Sequence, residues 1–223
     1  MTRIAKTLCA LSAATALAGV LLAWPAAAAD KPNNDAFVSI FNGKDLTGWE
    51  GLGDWWYVED GALTAQSTAE KPCKACNYLM YRGSKPGDFE LRLKFKVLGK
   101  GVNAGVQIRS RRIPNHHEMI GYQADLGDGW WGCLYDESRR NKVLAGPPGD
   151  ERSKIVRRDD WNDYTIRCQG RRIQLWINGK QTVDYTEPDK SIEQAGLIGL
   201  QIHGGPPSEA WYKEIRFKEL PEK

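Results

Sequence analysis

The sequence lacks the short motifs that announce most enzyme chemistries. It has no HExxH, no phosphate-cradling Gly-x-x-x-x-Gly-Lys-Ser/Thr and no Gly-x-Ser-x-Gly elbow, which removes the zinc-protease, nucleotide and serine-hydrolase readings that rest on them. It also lacks the Glu-x-Asp-x-x-Glu strand by which retaining β-sandwich glycosidases put two carboxylates on one face; the nearest stretch, Gln123-Ala124-Asp125, keeps only one. No window past the first thirty residues or so sustains a helical period beyond a turn or two, and no internal repeat divides the chain. Charge is nearly balanced, at 31 basic against 28 acidic residues, so neither nucleic acid nor an anionic membrane is indicated as a partner. Cysteine is sparse beyond residue 30, at Cys73, Cys76, Cys133 and Cys168. A zinc site would need a second ligand pair at matching spacing, and a thioredoxin-like site would need to open a helix, whereas Pro72 precedes CKAC and a strand pattern follows.

Residues 1–29 have the three-part pattern of a secretory leader: Arg3 and Lys6, an apolar run over 8–23 that is short for a membrane span, then small residues up to Ala29. Cys9 falls too early for a lipid-attachment box. The reading predicts cleavage before Asp30, no membrane span afterwards, export to the periplasm or beyond, and one domain over 30–223. In an oxidising compartment the Cys73–Cys76 spacing predicts a small local disulfide, with Cys133 and Cys168 either free and buried or bonded to each other. Nine Trp and eight Tyr are more than a core of this size needs, and exported proteins use such rings as platforms for sugars.

Alternation of apolar and polar residues predicts strands at 55–59, 62–66, 89–97, 103–110, 121–125, 132–135, 161–168, 172–177, 180–185, 196–203 and 210–219. Asn178-Gly179 and Asp60-Gly61 mark tight hairpin turns, and 142–154, with its Pro-Pro-Gly, reads as a long loop. Many short strands without helices mean an all-β sandwich. Period two then sorts faces: Val106, Ile108, Ser110, Tyr122, Ala124, Leu126, Ile198, Leu200 and Ile202 go inward, whereas Gln107, Arg109, Gln123, Asp125, Gln201 and His203 go outward. An outer face with Arg, Asp, Gln and His beside glycines suggests a groove floor rather than a solvated surface. His116 and His117, adjacent in a loop, read as solvated.

FNGKDLTGWE at 41–50, WWYVEDGALTA at 55–65, NAGVQIRS, GYQADLGD, GCLYDE, the stretch 161–180 and GLIGLQIHGGPPSEAWYKEIRFKEL at 196–220 together resemble the 3-keto-disaccharide hydrolase family, formerly a domain of unknown function, in order over nearly all of the chain past the leader. The resemblance implies a concanavalin A-like jelly-roll sandwich of two antiparallel sheets, with the site on one sheet face. It implies action on glycosides already oxidised to a ketone at C3, and a sugar C3-oxidoreductase as functional partner. A C3 ketone acidifies the C2 hydrogen, so one base, donors for the enolate oxygen and one acid suffice. On this basis Asp125 or His203 is the base, Arg109, Gln123 and Gln201 bind substrate, Tyr135 is the acid, and Trp130 and Trp131 form an aromatic wall. A divalent cation on Asp125 and His203 is an alternative way to polarise the ketone. Relatives carry Glu-x-Gln where this chain has Gln123 and Asp125, and Asp-His where it has Ile202-His203. Asp136, Glu137, Arg139 and Arg140 are expected to lace the rim with ion pairs. The rival reading is a carbohydrate-binding module on the same scaffold, which holds a glycan without reacting.

Overall fold

A computed structural model describes residues 36–53 and 55–223; the expected leader lies outside them. Among the described residues the strands are β1 (Val38–Ser39), β2 (Trp49–Gly51), β3 (Trp56–Glu59), β4 (Ala62–Ser67), β5 (Asn77–Tyr81), β6 (Phe89–Gly99), β7 (Asn103–Arg112), β8 (Met119–Gly127), β9 (Leu134–Glu137), β10 (Lys142–Ala145), β11 (Asn162–Gln169), β12 (Arg172–Ile177), β13 (Lys180–Thr186), β14 (Leu197–Ile202) and β15 (Ser208–Glu219). They form two antiparallel sheets. The first runs β13-β12-β11-β6-β15-β4-β3, with β1 also paired to β15, and the second runs β10-β9-β8-β7-β14-β5-β2. No helix in the described residues is long and apolar enough to cross a membrane.

The core lies between the sheets. Leu91, Phe95, Ile166, Leu175 and Tyr212 of the first sheet meet Leu79, Val106, Ile108, Ala124, Leu126 and Leu200 of the second, all fully buried. Each large aliphatic or aromatic side chain so buried contributes roughly 1.5–3 kcal/mol, which is why alternation along each strand fixes its inner face. The Tyr212 hydroxyl crosses the gap to donate to the Gln201 carbonyl at 2.8 Å, with the Gly105 carbonyl 3.2 Å away, so the opposite sheet grips the backbone of β7 and β14. Asn178 and Gly179 join β12 to β13 with φ of +50° and +79°, the geometry that a two-residue hairpin turn requires.

Four strands lie outside the expected set. β10 occupies the first residues of the expected loop and pairs with β9 through an irregular register, while β1, β2 and β5 are too short or too evenly apolar to show period two. On β7, pairing with β8 slips between Ile108 and Arg111, and pairing with β14 slips opposite it. Arg109 sits in this bulge with φ +47°, and an extra residue in one strand inverts the alternation beyond it. Ser110, expected inward, therefore reaches the outer-face Gln107, and Arg109 turns away from that face.

The cysteine pairing also differs. Cys73 and Cys76 are free thiols, Cys73 in the inter-sheet core and Cys76 in a second cluster with Tyr78, Met80 and Met119 on the other face of the second sheet. Cys133 and Cys168 are likewise free and buried.

Candidate functional site

The outer face of the second sheet carries two rows of side chains in register. One runs Tyr78, Gln201, Gly105, Asp125; the other Met80, Gly199, Gln107, Gln123, Tyr135. Gly105 leaves room for Gln123 to lean across it, since a Cβ there would stand 2.9 Å from Gln123 Cγ. The side chains form a relay: Ser110 Oγ donates to Gln107 Oε1 at 2.7 Å, Gln107 Nε2 to Gln123 Oε1 at 2.7 Å, and Gln123 Nε2 to Asp125 Oδ1 at 2.5 Å. A second arm runs from Gln201 Nε2 to the Tyr78 hydroxyl at 3.0 Å, and from that hydroxyl to Glu118 Oε2 at 2.9 Å. Gln201 Oε1 and Asn103 Oδ1 are buried acceptors without a hydrogen-bond partner. Such groups are costly to leave unmet, and on one face they present acceptors for hydroxyl donors.

Burial raises two carboxyls of this floor, Asp125 and Glu137. Burial raises Asp125 well above the usual carboxylate range; the Gln123 hydrogen bond offsets part of this and the Glu137 charge adds to it. Glu137 is raised by burial and then by Glu118, with His203 opposing. Burial raises the Tyr135 hydroxyl, and Glu137 and Asp125 raise it further. Cys133 lies beside Asp125, whose amide donates to the Cys133 carbonyl at 2.9 Å, and burial pushes its thiol up to about 11.

His203 stands half-buried at the end of β14. Its amide donates to the Asn103 carbonyl at 3.1 Å and its Nδ1 lies 2.6 Å from the Gly204 carbonyl. The Gly204–Gly205 turn is wedged against the loop 73–75: Gly205 donates to the Cys73 carbonyl at 3.1 Å, and a Cβ on Gly204 would stand 2.7 Å from the Ala75 nitrogen. The CKAC segment thus buttresses the histidine without a covalent link.

The structure gathers Gln123, Asp125, Tyr135 and Gln201 on one face and places His203 beside it. Trp130 joins them, edge-on to Tyr135 at 5.8 Å and 85°. Trp131 does not; it is buried in the core and stacks on Phe95 at 6.3 Å. Arg109 does not either. Its side chain is fully buried at one end of the sandwich, donating to the Gly87 carbonyl at 2.8 Å, to Gln194 Oε1 at 2.7 Å and to Asp88 Oδ1 at 3.1 Å. Arg139 and Arg140 both pair with Asp136, but Glu137, expected among them, faces the floor from the register position opposite Gly121. Glu137, Glu118, Tyr78 and Gln107 are the residues the sequence reading missed as site members. Period two counted onward from Tyr135 identifies Glu137, whereas Tyr78 and Glu118 carry no periodic signal. His116 and His117 are exposed and stack on each other at 4.3 Å.

A cation on Asp125 and His203 does not fit this donor set. No group of three His, Cys, Asp or Glu side chains converges among the described residues; burial disfavours the ionised form of Asp125, and one of its oxygens is already taken by Gln123 Nε2.

A family model described as the 3-keto-alpha-glucoside-1,2-lyase-like domain matches residues 36–218. The chain belongs to this 3-keto-disaccharide hydrolase family. Solved structures similar to the 3-keto-disaccharide hydrolase chain share its all-β architecture. A provisionally assigned glycosyl hydrolase from Parabacteroides distasonis matches at 17% identity and TM-score 0.61, over 83% of this chain and 94% of its own. A carbohydrate-binding module from Bacillus subtilis matches at 13% and 0.59, over 77% and 96%. The exoplasmic/lumenal domain of VIP36, in a Ca2+/Man3GlcNAc-bound form, matches at 15% and 0.56, over 82% and 88%. At these identities the likeness is one of fold. No curated protein matches the chain.

Proposed function

We propose that this chain is exported and cleaves glycosides carrying a ketone at C3, which a sugar C3-oxidoreductase supplies. His203 Nδ1, donating to the Gly204 carbonyl, leaves Nε2 as the acceptor that removes the C2 proton. The electron pair moves onto the ketone oxygen, where the spare N–H groups of Gln123 and Gln201 and the Tyr135 hydroxyl hold the enolate. The C1–O bond then breaks, and the departing oxygen takes the proton that burial and Glu118 keep on Glu137. Water adds at C1 of the enone and a proton returns to C2, releasing the 3-keto sugar. Asp125 is a positioning residue, orienting Gln123 from below. The observation that carries this reading is the buried floor with two unpartnered acceptors, flanked by one carboxyl of raised pKa and one imidazole.

Release of aglycone from a 3-keto-glucoside, with and without chelator, tests it. Glu137→Gln and His203→Ala are each expected to lower turnover by roughly 10²–10⁴-fold with the melting temperature retained. Because Glu137 acts as its protonated form, activity falls as pH rises through its raised pKa, and this alkaline limb is absent from Glu137→Gln. Parent-like rates in both variants overturn the assignment. Saturable glycan binding with no turnover of any keto-sugar favours the binding-module reading instead.

A further inference from the structure

At one end of the sandwich, meeting the floor just described only at Ser110, lies a cleft of about 960 Å3 between the start of β8, the bulged end of β7 and the loop 187–196. This volume suits a mono- or disaccharide-sized ligand. Its lining holds six basic residues against two acidic ones, Asp189 and Glu193. Four of the cations are already committed: Arg109 to Asp88 and Gln194, Arg139 to Asp136, Arg140 to Asp136 and Glu187, and Arg112 to Glu50. The side chains of Lys85 and Arg111 are exposed and make no ion pair or hydrogen bond with a described residue. The Asp189 carboxylate is turned onto the Ser191 amide at 2.9 Å and hydroxyl at 2.6 Å. Two unspent cations therefore face the cleft against one unpaired carboxylate, Glu193, and part of the remaining wall is apolar, with Ile120, Ile192 and Leu197.

That wall is prebuilt. Glu187 anchors one end of the loop through Arg140, Tyr122, Tyr185 and the Asp189 amide, and Gln194 ties the other end to Arg109. A preformed wall spares a ligand the cost of ordering it. A guanidinium fork and an ammonium lining one cleft match a carboxylate, and the aliphatic wall matches the apolar face of a pyranose ring.

We infer that this cleft is a second binding site, for a uronic acid. The carboxylate rests on Arg111 and Lys85 and the ring on Ile120, Ile192 and Leu197. The anion preference stands on the cleft alone; that the ligand is a sugar rests on the carbohydrate reading above.

Calorimetric titration with D-glucuronate, D-glucose and acetate tests the inference. Glucuronate is expected to bind, more weakly as salt is raised, and more tightly than either glucose or acetate. Arg111→Ala and Lys85→Ala, both at exposed positions, each weaken binding about tenfold, the loss of one charge-assisted contact. Glucose binding as tightly as glucuronate, or undiminished glucuronate binding in the double variant, overturns the site; acetate binding as tightly as glucuronate overturns the sugar. Turnover of a neutral 3-keto-glucoside by the parent protein reads the other face separately. Glucuronate binding without turnover sinks the catalytic reading and leaves the cleft, and turnover without glucuronate binding does the reverse.

Discussion

Arg109 shows how one side chain can exchange a chemical role for a structural one. Its guanidinium is closed off from solvent and spends its donors on Asp88, Gly87 and Gln194. Removing it strands Asp88, a half-buried carboxylate that the Gly170 amide also binds at 2.8 Å. Breaking a buried pair on one side costs about 3–5 kcal/mol, so Arg109→Ala is expected to lower the urea midpoint steeply. Arg109→Lys fails to restore it, because an ammonium cannot reproduce the fork. A parent-like midpoint with lost turnover would return Arg109 to the chemistry. At this scale the sequence was readable where a residue's face followed from its neighbours, as for Gln123, Asp125 and Gln201. It was unreadable where a local φ reversed that face, since nothing about an arginine announces a left-handed backbone.

Among the elements, the bulge on β7 organises the end of the sheet. It is accommodated by small neighbours: at Gly121 a Cβ would come within 2.8 Å of Ser110 Cα, and at Gly196 within 2.6 Å of the Arg109 carbonyl carbon. Gly121→Ala is therefore expected to force β7 and β8 apart and cost roughly 1–3 kcal/mol, read as a lower denaturant midpoint; an unchanged midpoint would mean that the bulge relaxes freely. The hydrophobic period gave the inner residues of β7, β8 and β14 correctly up to the slip and failed after it. The same period found long half-polar strands and passed over β1, β2, β5 and β10, whose few residues leave too little alternation to count. The CKAC spacing misled for a related reason: Cys73 packs between the sheets and Cys76 with Tyr78, Met80 and Met119, and spacing alone does not report which cluster each side chain joins.

For the whole molecule, the two-sheet architecture was the most legible property, because it follows from many strands burying one face each. The floor was legible only in part, since its rows depend on which strands are neighbours in space. One feature joins the layers at the scale of the molecule. Glu187, just past the edge strand β13, is fully buried. Burial alone would raise it, yet the Arg140 guanidinium, the Asp189 amide and the Tyr122 hydroxyl hold it down to about 2. A depressed carboxyl contributes stability that is complete above its unfolded pKa near 4.5 and is lost as pH falls through the folded value near 2. Thermal melts between pH 5 and 2 are expected to show this loss, and Glu187→Gln to start lower and flatten the slope; an unaltered slope in the variant would assign the acid sensitivity elsewhere. The buried anion is, in effect, a clasp between the two faces of the shell. Acidification undoes it at the very loop that walls the basic cleft, so it is that recess which loosens, at the end of the molecule where the shell is closed by charge rather than by apolar packing.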